Sequence, residues 1–358
     1  MILVASRIPL PNQEDGMWPT AKAPRLPPPS LPGIQASVVY DTYWKFAVER
    51  QKIFFARLKG TPWPWTADPI LREHKFTNAY RASDRGSQYL IRNVIYSGDQ
   101  SPTEVFFRTL LFKFFNRIET WKLLTSVFGQ VAFHSYCFEE YDRVLSAAMA
   151  KGIRIYSAAY IMPSGGRKSE YVRKHQFHLR LLERMIDEQL PARLAEAKSM
   201  KQAFALLKGY PSIGDFLAYQ FITDLNYSSI LNWSEMDYVC PGPGAKDGIR
   251  KCFLDTGRYS EADIIKLVTE RQDEEFTRLG LVFPSLWGRK LQLIDCQNLF
   301  CEVDKYARVA YPGVAGLSGR TRIKQKFLPK GELLPPWYPP KWSINARISG
   351  EKMHVSAH

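Results

Sequence analysis

LKGYPSIGDFLAYQFITDLNYSSILNWSEMDYVCPGPGAKDG, residues 207–248, decides how this chain reads. Its first residues close a helix. Tyr210-Pro211-Ser212-Ile213-Gly214 then forms a tight turn, in which Pro211 fixes the backbone and Gly214 frees the last position. A second helix is predicted over 215–225. A turn of this kind can grip a phosphate backbone, because small residues let successive N–H groups approach and the second helix adds its positive end. Tyr210, Ser212, Ile213 and Gly214 are the positions assigned to that contact. An ordinary connection between two helices would use the same turn chemistry. About twenty residues further on stands an acid, Asp237, with Glu235 as its near rival.

Pro241-Gly242-Pro243-Gly244 follows at once, then Lys246, Arg250 and Lys251. Glycines at 242 and 244 free the backbone to cup an anion, and a helix starting near Asp247 would aim its N-terminus at the same point. The alternative is a rigid surface turn. The stretch does not end in glycine–lysine–serine/threonine, so it is not a Walker A loop, and Ser164–Ser169 lacks the Walker spacing as well.

The 358 residues carry a net charge of +14, and 45% of them are hydrophobic. That is enough apolar material for a large core. The positive surplus points to a polyanionic partner, since Lys and Arg gain affinity by releasing counterions from phosphates. No apolar run is long enough to span a bilayer. The five cysteines are odd in number and contain no Cys-x-x-Cys, which fits free thiols in a reducing, intracellular compartment.

Outside the opening stretch, helical periodicity dominates. Residues 1–36 are proline-rich and read as an extended or disordered lead. Helices are predicted from a cap at Asp41 to Leu58, over Ser101–Thr125, and at 138–151, 169–189, 199–208, 260–278 and 290–309. In the second of these Ser101 is the cap, Pro102 the first turn and Glu104 the box residue. A short strand candidate lies at Ile153–Ala159. The expected architecture is mostly α, with a helical domain over 37–312 and a basic, proline-rich tail over 313–358 that lies along the domain or along DNA.

Two polar clusters stand out. Lys75, Asn78, Arg81, Asp84 and Arg85 share a face if their segment is helical, and suit phosphate and base contacts. Asp295, Asn298, Glu302 and Lys305 form a polar ridge on an otherwise apolar helix. His175 and His178 have helical spacing for one metal, but lack a third ligand nearby and read as surface residues. No metal or cofactor is expected.

Five stretches, KFTNAYRASDR (75–85), RIYSAAYIMPSG (154–165), YPSIGDFLAYQFITDLNYS (210–228), EMDYVCPGPGAKDGIRKCF (235–253) and LQLIDCQNLFCEVDKYAR (291–308), carry a resemblance. The chain resembles the helical domain of phage 5-hydroxymethyluracil DNA kinases and the related α-glutamyl/putrescinyl-thymine pyrophosphorylase-like proteins. Its hairpin also resembles that of the helix-hairpin-helix DNA glycosylase superfamily, although Ser212 stands where the superfamily usually has glycine.

The resemblance implies thymine hypermodification in DNA. In such pathways hydroxymethyluracil is phosphorylated or pyrophosphorylated in the polymer, and an amino acid or polyamine then displaces the pyrophosphate. The chain lacks a kinase phosphate loop of its own, which favours the displacement step or a separate kinase partner. On this reading Asp237, Lys246 and Glu302 carry the chemistry: Asp237 activates the amine or steadies the electrophile, Lys246 holds the leaving group with Gly242 and Gly244, and Glu302 binds the donor's ammonium. Asn78, Arg81, Arg85, Tyr160, Tyr238 and Asn298 line the pocket for the flipped nucleotide. Lys75, Arg250 and Lys251 join the hairpin in holding DNA. The protein is expected to act as a monomer. Two alternatives remain: a base-excising glycosylase, without lyase activity because Phe216 stands near the lyase lysine's place, and a non-catalytic DNA-binding module.

Overall fold

A phenylalanine-rich run organises the interior. The computed structural model describes residues 33–158, 162–163, 171–329 and 335–348. Among them the α-helices are, in order, α1 (Val38–Leu58), α2 (Pro69–Glu73), α3 (Arg85–Leu90), α4 (Pro102–Phe115), α5 (Ile118–Phe128), α6 (Phe138–Ala150), α7 (Lys174–Asp187), α8 (Leu190–Ala195), α9 (Met200–Lys208), α10 (Asp215–Leu225), α11 (Pro243–Cys252), α12 (Glu261–Glu270), α13 (Gln272–Arg278) and α14 (Leu293–Ala310). Every residue of α4 from Glu104 to Phe115 is buried. It packs against α5, α7, α8 and α10, while α14 gathers α1, α2, α11 and α12. The protein is therefore mostly helical, as its periodicity predicts.

Two strands, β1 (Gln35–Ala36) and β2 (Phe253–Asp255), pair antiparallel with Gln35 opposite Asp255 and Ala36 opposite Phe253. They tie the start of α1 to the end of α11. The cap of α1 is Ser37, whose hydroxyl accepts from Val39 N–H at 3.0 Å, rather than Asp41. Asp41 sits in the first turn and pairs with Arg278 at 2.6 Å.

Four local expectations are corrected. Ser101–Thr125 is two helices, because Asn116 adopts a left-handed backbone (φ 47°) and ends α4. Glu104 is no box residue. It is buried, and its carboxylate accepts from the amides of Phe133 and His134 at 2.8 and 2.9 Å. The 260–278 helix breaks at Arg271. No strand forms over the described part of 153–159.

The tail from 313 folds back on the helices. Lys75 N–H donates to Gln325 O at 3.0 Å and Phe327 N–H to Glu73 O at 2.8 Å. Tyr338, fully buried, packs against Trp287 and Trp342.

Candidate functional site

The segment 75–84 is not a helix, so its polar residues do not share one face. A short 3-10 turn over Arg81–Ser83 buries Arg81, while Lys75 and Arg85 remain exposed. Arg81 is 2% exposed and becomes a hub. Its guanidinium donates to Asp224 Oδ1 at 2.7 Å, to Gln220 Oε1 at 3.1 Å and to the Tyr227 hydroxyl at 3.1 Å, all on or just after α10. Its backbone N–H donates to Asp295 Oδ1 on α14 at 2.8 Å. Lys113 of α4 reaches Asp224 Oδ2 at 3.1 Å. Burial pushes the Asp224 pKa up, but the charges of Arg81 and Lys113 outweigh it and hold the carboxyl below its ordinary value.

The polar ridge of α14 faces this segment. Glu302 accepts from Thr77 N–H at 3.1 Å and pairs with Lys305 at 2.6 Å. Asn298 is half-buried and bonds to Gln297. Asn78 is buried among its own neighbours, donating to Ser83 O at 2.8 Å and accepting from Arg50. Burial raises the Asp295 pKa to about 7, and the nearby charge of Glu235 pushes the same way. Asp84 is likewise raised to about 7 by burial.

Of the two acids after the hairpin, Glu235 is the buried one. It pairs with Arg289 at 2.8 Å, and the Arg289 guanidinium lies 3.8 Å from the centre of the Trp342 ring. Burial raises the Glu235 pKa against the pull of Arg289 and Lys341, and burial lowers the Lys341 pKa to about 8. Asp237 is exposed and accepts from Met200 N–H at 3.1 Å, so it serves as an additional cap on α9. Tyr238 is half-buried between the rings of Phe204 and Tyr219.

The hairpin forms as the turn residues dictate. Ser212 adopts φ 65°, the left-handed conformation that glycine takes at no steric cost. Ile213 and Tyr210 are buried, and Gly214 is the N-cap of α10. Asp215, in the first turn of α10, pairs with Lys208 at 2.6 Å.

The glycine-rich stretch is helix rather than an open loop. α11 begins at Pro243, and its glycines serve packing. A Cβ on Gly244 would lie 3.1 Å from Cys301 Sγ, and one on Gly248 only 2.0 Å from Phe300 O. The small residues let α11 lie close against α14. Gly242 is the N-cap and abuts the Phe216 ring. Lys246 and Arg250 are exposed, but Lys251 is buried and pairs with Asp304 at 2.9 Å, which removes it from any DNA surface.

His175 and His178 are fully buried, not surface residues. His175 Nε2 lies 2.6 Å from Asp142 Oδ1, and His178 bridges the Tyr156 hydroxyl and Pro163 O at 2.7 and 2.8 Å. Tyr160 lies outside the described residues. All five cysteines are free. No described helix is long and apolar enough to cross a membrane, and no group of three metal-ligating side chains occurs among the described residues.

Sequence reasoning missed Lys113, Asp224, Tyr227 and Arg289. Asp224 and Lys113 sit at apolar-face spacing on strongly apolar helices, and a charge in such a place is the signal that finds them. Together the residues join stretches 75–85, 210–228, 235–253 and 291–308 in one buried polar seam.

A family model described as "5-hmdU DNA kinase, helical domain" matches residues 37–316. A 5-hmdU DNA kinase of Bacillus phage SP10 is 27% identical over 290 residues, 75% of this chain and 45% of that protein. The chain thus spans about half the length of this relative. No solved structure matches. With most of its length matched, and with the matched stretches meeting at Arg81, the chain belongs to the family of 5-hmdU DNA kinase helical domains.

Proposed function

We propose that the protein acts in thymine hypermodification of DNA, as a transferase that displaces pyrophosphate from 5-(pyrophosphoryloxymethyl)uracil with an amino acid or polyamine. The observation that carries this reading is the family match over residues 37–316, whose relative acts on 5-hydroxymethyluracil in DNA by its name. In the step, the amine nitrogen forms a bond to the 5-methylene carbon. The carbon–oxygen bond breaks, pyrophosphate leaves with the electron pair, and the nitrogen gives up a proton. Asp237, open to solvent beside the hairpin's first helix, is the base for that proton. Lys246, exposed in the first turn of α11, offers its charge to the leaving group. The hairpin holds the DNA backbone.

One observation favours a second reading. Asp237 is already engaged with the start of α9, as a purely structural acid would be. Under that reading the chain is a DNA-binding module serving a kinase. Incubating the protein with pyrophosphorylated DNA and a pool of amines, then digesting to nucleosides for mass spectrometry, separates them. An amine adduct that disappears with Asp237→Asn supports transfer. DNA binding with no adduct from any donor points to the module, and abasic sites would point to excision.

A further inference from the structure

The family match ends at residue 316, and the chain beyond it is stitched to the helices. Asp247 accepts from Ser318 N–H at 2.8 Å, and Arg308 donates to Arg322 O at 3.1 Å. His74 and Lys326 pair in an antiparallel bridge, and Phe327 packs edge-on against Trp65 with ring centres 5.9 Å apart. Ile323 is partly buried against the core. In this fixed segment Arg320, Arg322, Lys324 and Lys326 occupy every second position, and all four are exposed. Alternate residues of an extended backbone project to the same side, so the cations form a comb.

The nearby carboxylates are already used. Asp247 holds the Ser318 amide through one oxygen and feels the charge of Arg320 without a direct ion pair, and Asp304 is bound by Lys251 and Arg308. Among the described residues only Lys326 of the four is ion-paired, with exposed Glu73 at 3.0 Å. Arg250 on α11, three residues from Asp247, is exposed too. From 320 to 325 the chain forms no helix, turn or bend, a fully extended run to 326 would cover up to about 20 Å, and a DNA strand offers a phosphate about every 3.4 Å along its axis. The comb is therefore long enough to run beside roughly six phosphates.

We propose that Arg320, Arg322 and Lys324, with Arg250 beside them, form a phosphate track that holds the DNA backbone without regard to sequence, separate from the hairpin at 209–214. It rests on the reading that the chain works on DNA, and it is independent of the transfer chemistry.

The test uses the full chain and a short unmodified duplex, with binding followed by fluorescence anisotropy from about 50 to about 200 mM salt. Neutralising Arg320, Arg322 and Lys324 to Gln should lower the slope of log affinity against log salt by about 2–3. A control that neutralises exposed Lys122, Lys151 and Arg154 to Gln should leave the slope near that of the unaltered protein. Equal slopes for the two triple variants would overturn the track while leaving the DNA reading intact. Absence of salt-dependent binding by the unaltered protein would overturn both. A second measurement needs no variant: DNA should slow labelling of Lys324 by an amine-reactive reagent, and unchanged labelling in saturating DNA would equally reject the track.

Discussion

Single residues here carry strain and charge that the rest of the fold has to accommodate. Ser212 holds a left-handed backbone at the hairpin tip, where an L-residue costs about 1–2 kcal/mol. Ser212→Gly should raise stability by roughly 0.5–1 kcal/mol, since the gain is partly offset by glycine's freedom in the unfolded chain. Chemical denaturation reads this, and a clear loss would show that the serine hydroxyl holds the turn together. Asp295 makes the opposite kind of demand. Its folded pKa of about 7 lies above that of an unfolded aspartate, so the folded state holds the extra proton between them. Its contribution is fully present at acid pH and is lost as pH rises from about 4 to about 7. Asp295→Asn should be free of that loss. Denaturation midpoints at pH 5 and 7.5 should therefore converge in the variant relative to the unaltered protein, by an amount on the order of 1 kcal/mol or more. An unchanged gap would mean that Asp295 is ionised throughout.

Among the elements, the approach of α11 to α14 is the most demanding. The sequence offers Gly244 and Gly248 four residues apart, and the same glycines suit either an anion-binding loop or a close helix crossing. From the sequence the stretch reads as an anion-binding loop or a rigid surface turn ahead of a helix near Asp247, yet Pro243 is a favourable first residue of a helix and begins it. Gly248→Ala places a methyl group against Phe300 O and should cost about 1–3 kcal/mol or more, measured as a fall in denaturation midpoint. A neutral result would mean that the two helices can separate cheaply. Hairpin helices α9 and α10 were legible to within a residue, since their caps and apolar spacing agree. The segment 75–85 was not. Its charges mimic a helical face, but what fixes its conformation lies more than a hundred residues away, in Asp224 and Asp295. Likewise, which of Glu235 and Asp237 is buried depends on Arg289 and Trp342, and no local pattern reports that.

For the whole molecule, the sequence left the proline-rich tail lying either along the domain or along DNA, and its described part is built into the fold. Deleting residues 313–358 removes the Ser318 partner of Asp247, the chain that pairs with Glu73 and Lys75, and buried Tyr338. The shortened protein should lose at least about 3 kcal/mol, from burial of one large side chain and several hydrogen bonds. A midpoint equal to that of the full chain would show the tail to be energetically idle. The surplus of +14, by contrast, pointed to a polyanion before any helix was placed. The Arg81 hub has a consequence for the order in which the chain is made. Arg81 emerges first of the three, Asp224 follows 143 residues later and Asp295 follows 214 residues later. Until α14 has left the ribosome, a nascent chain carries a guanidinium destined for the interior without its full set of acceptors. Sealing of the seam is thus a late step of biosynthesis, and fragments that stop short of α14 are substrates for chaperones and proteases rather than miniature versions of the protein.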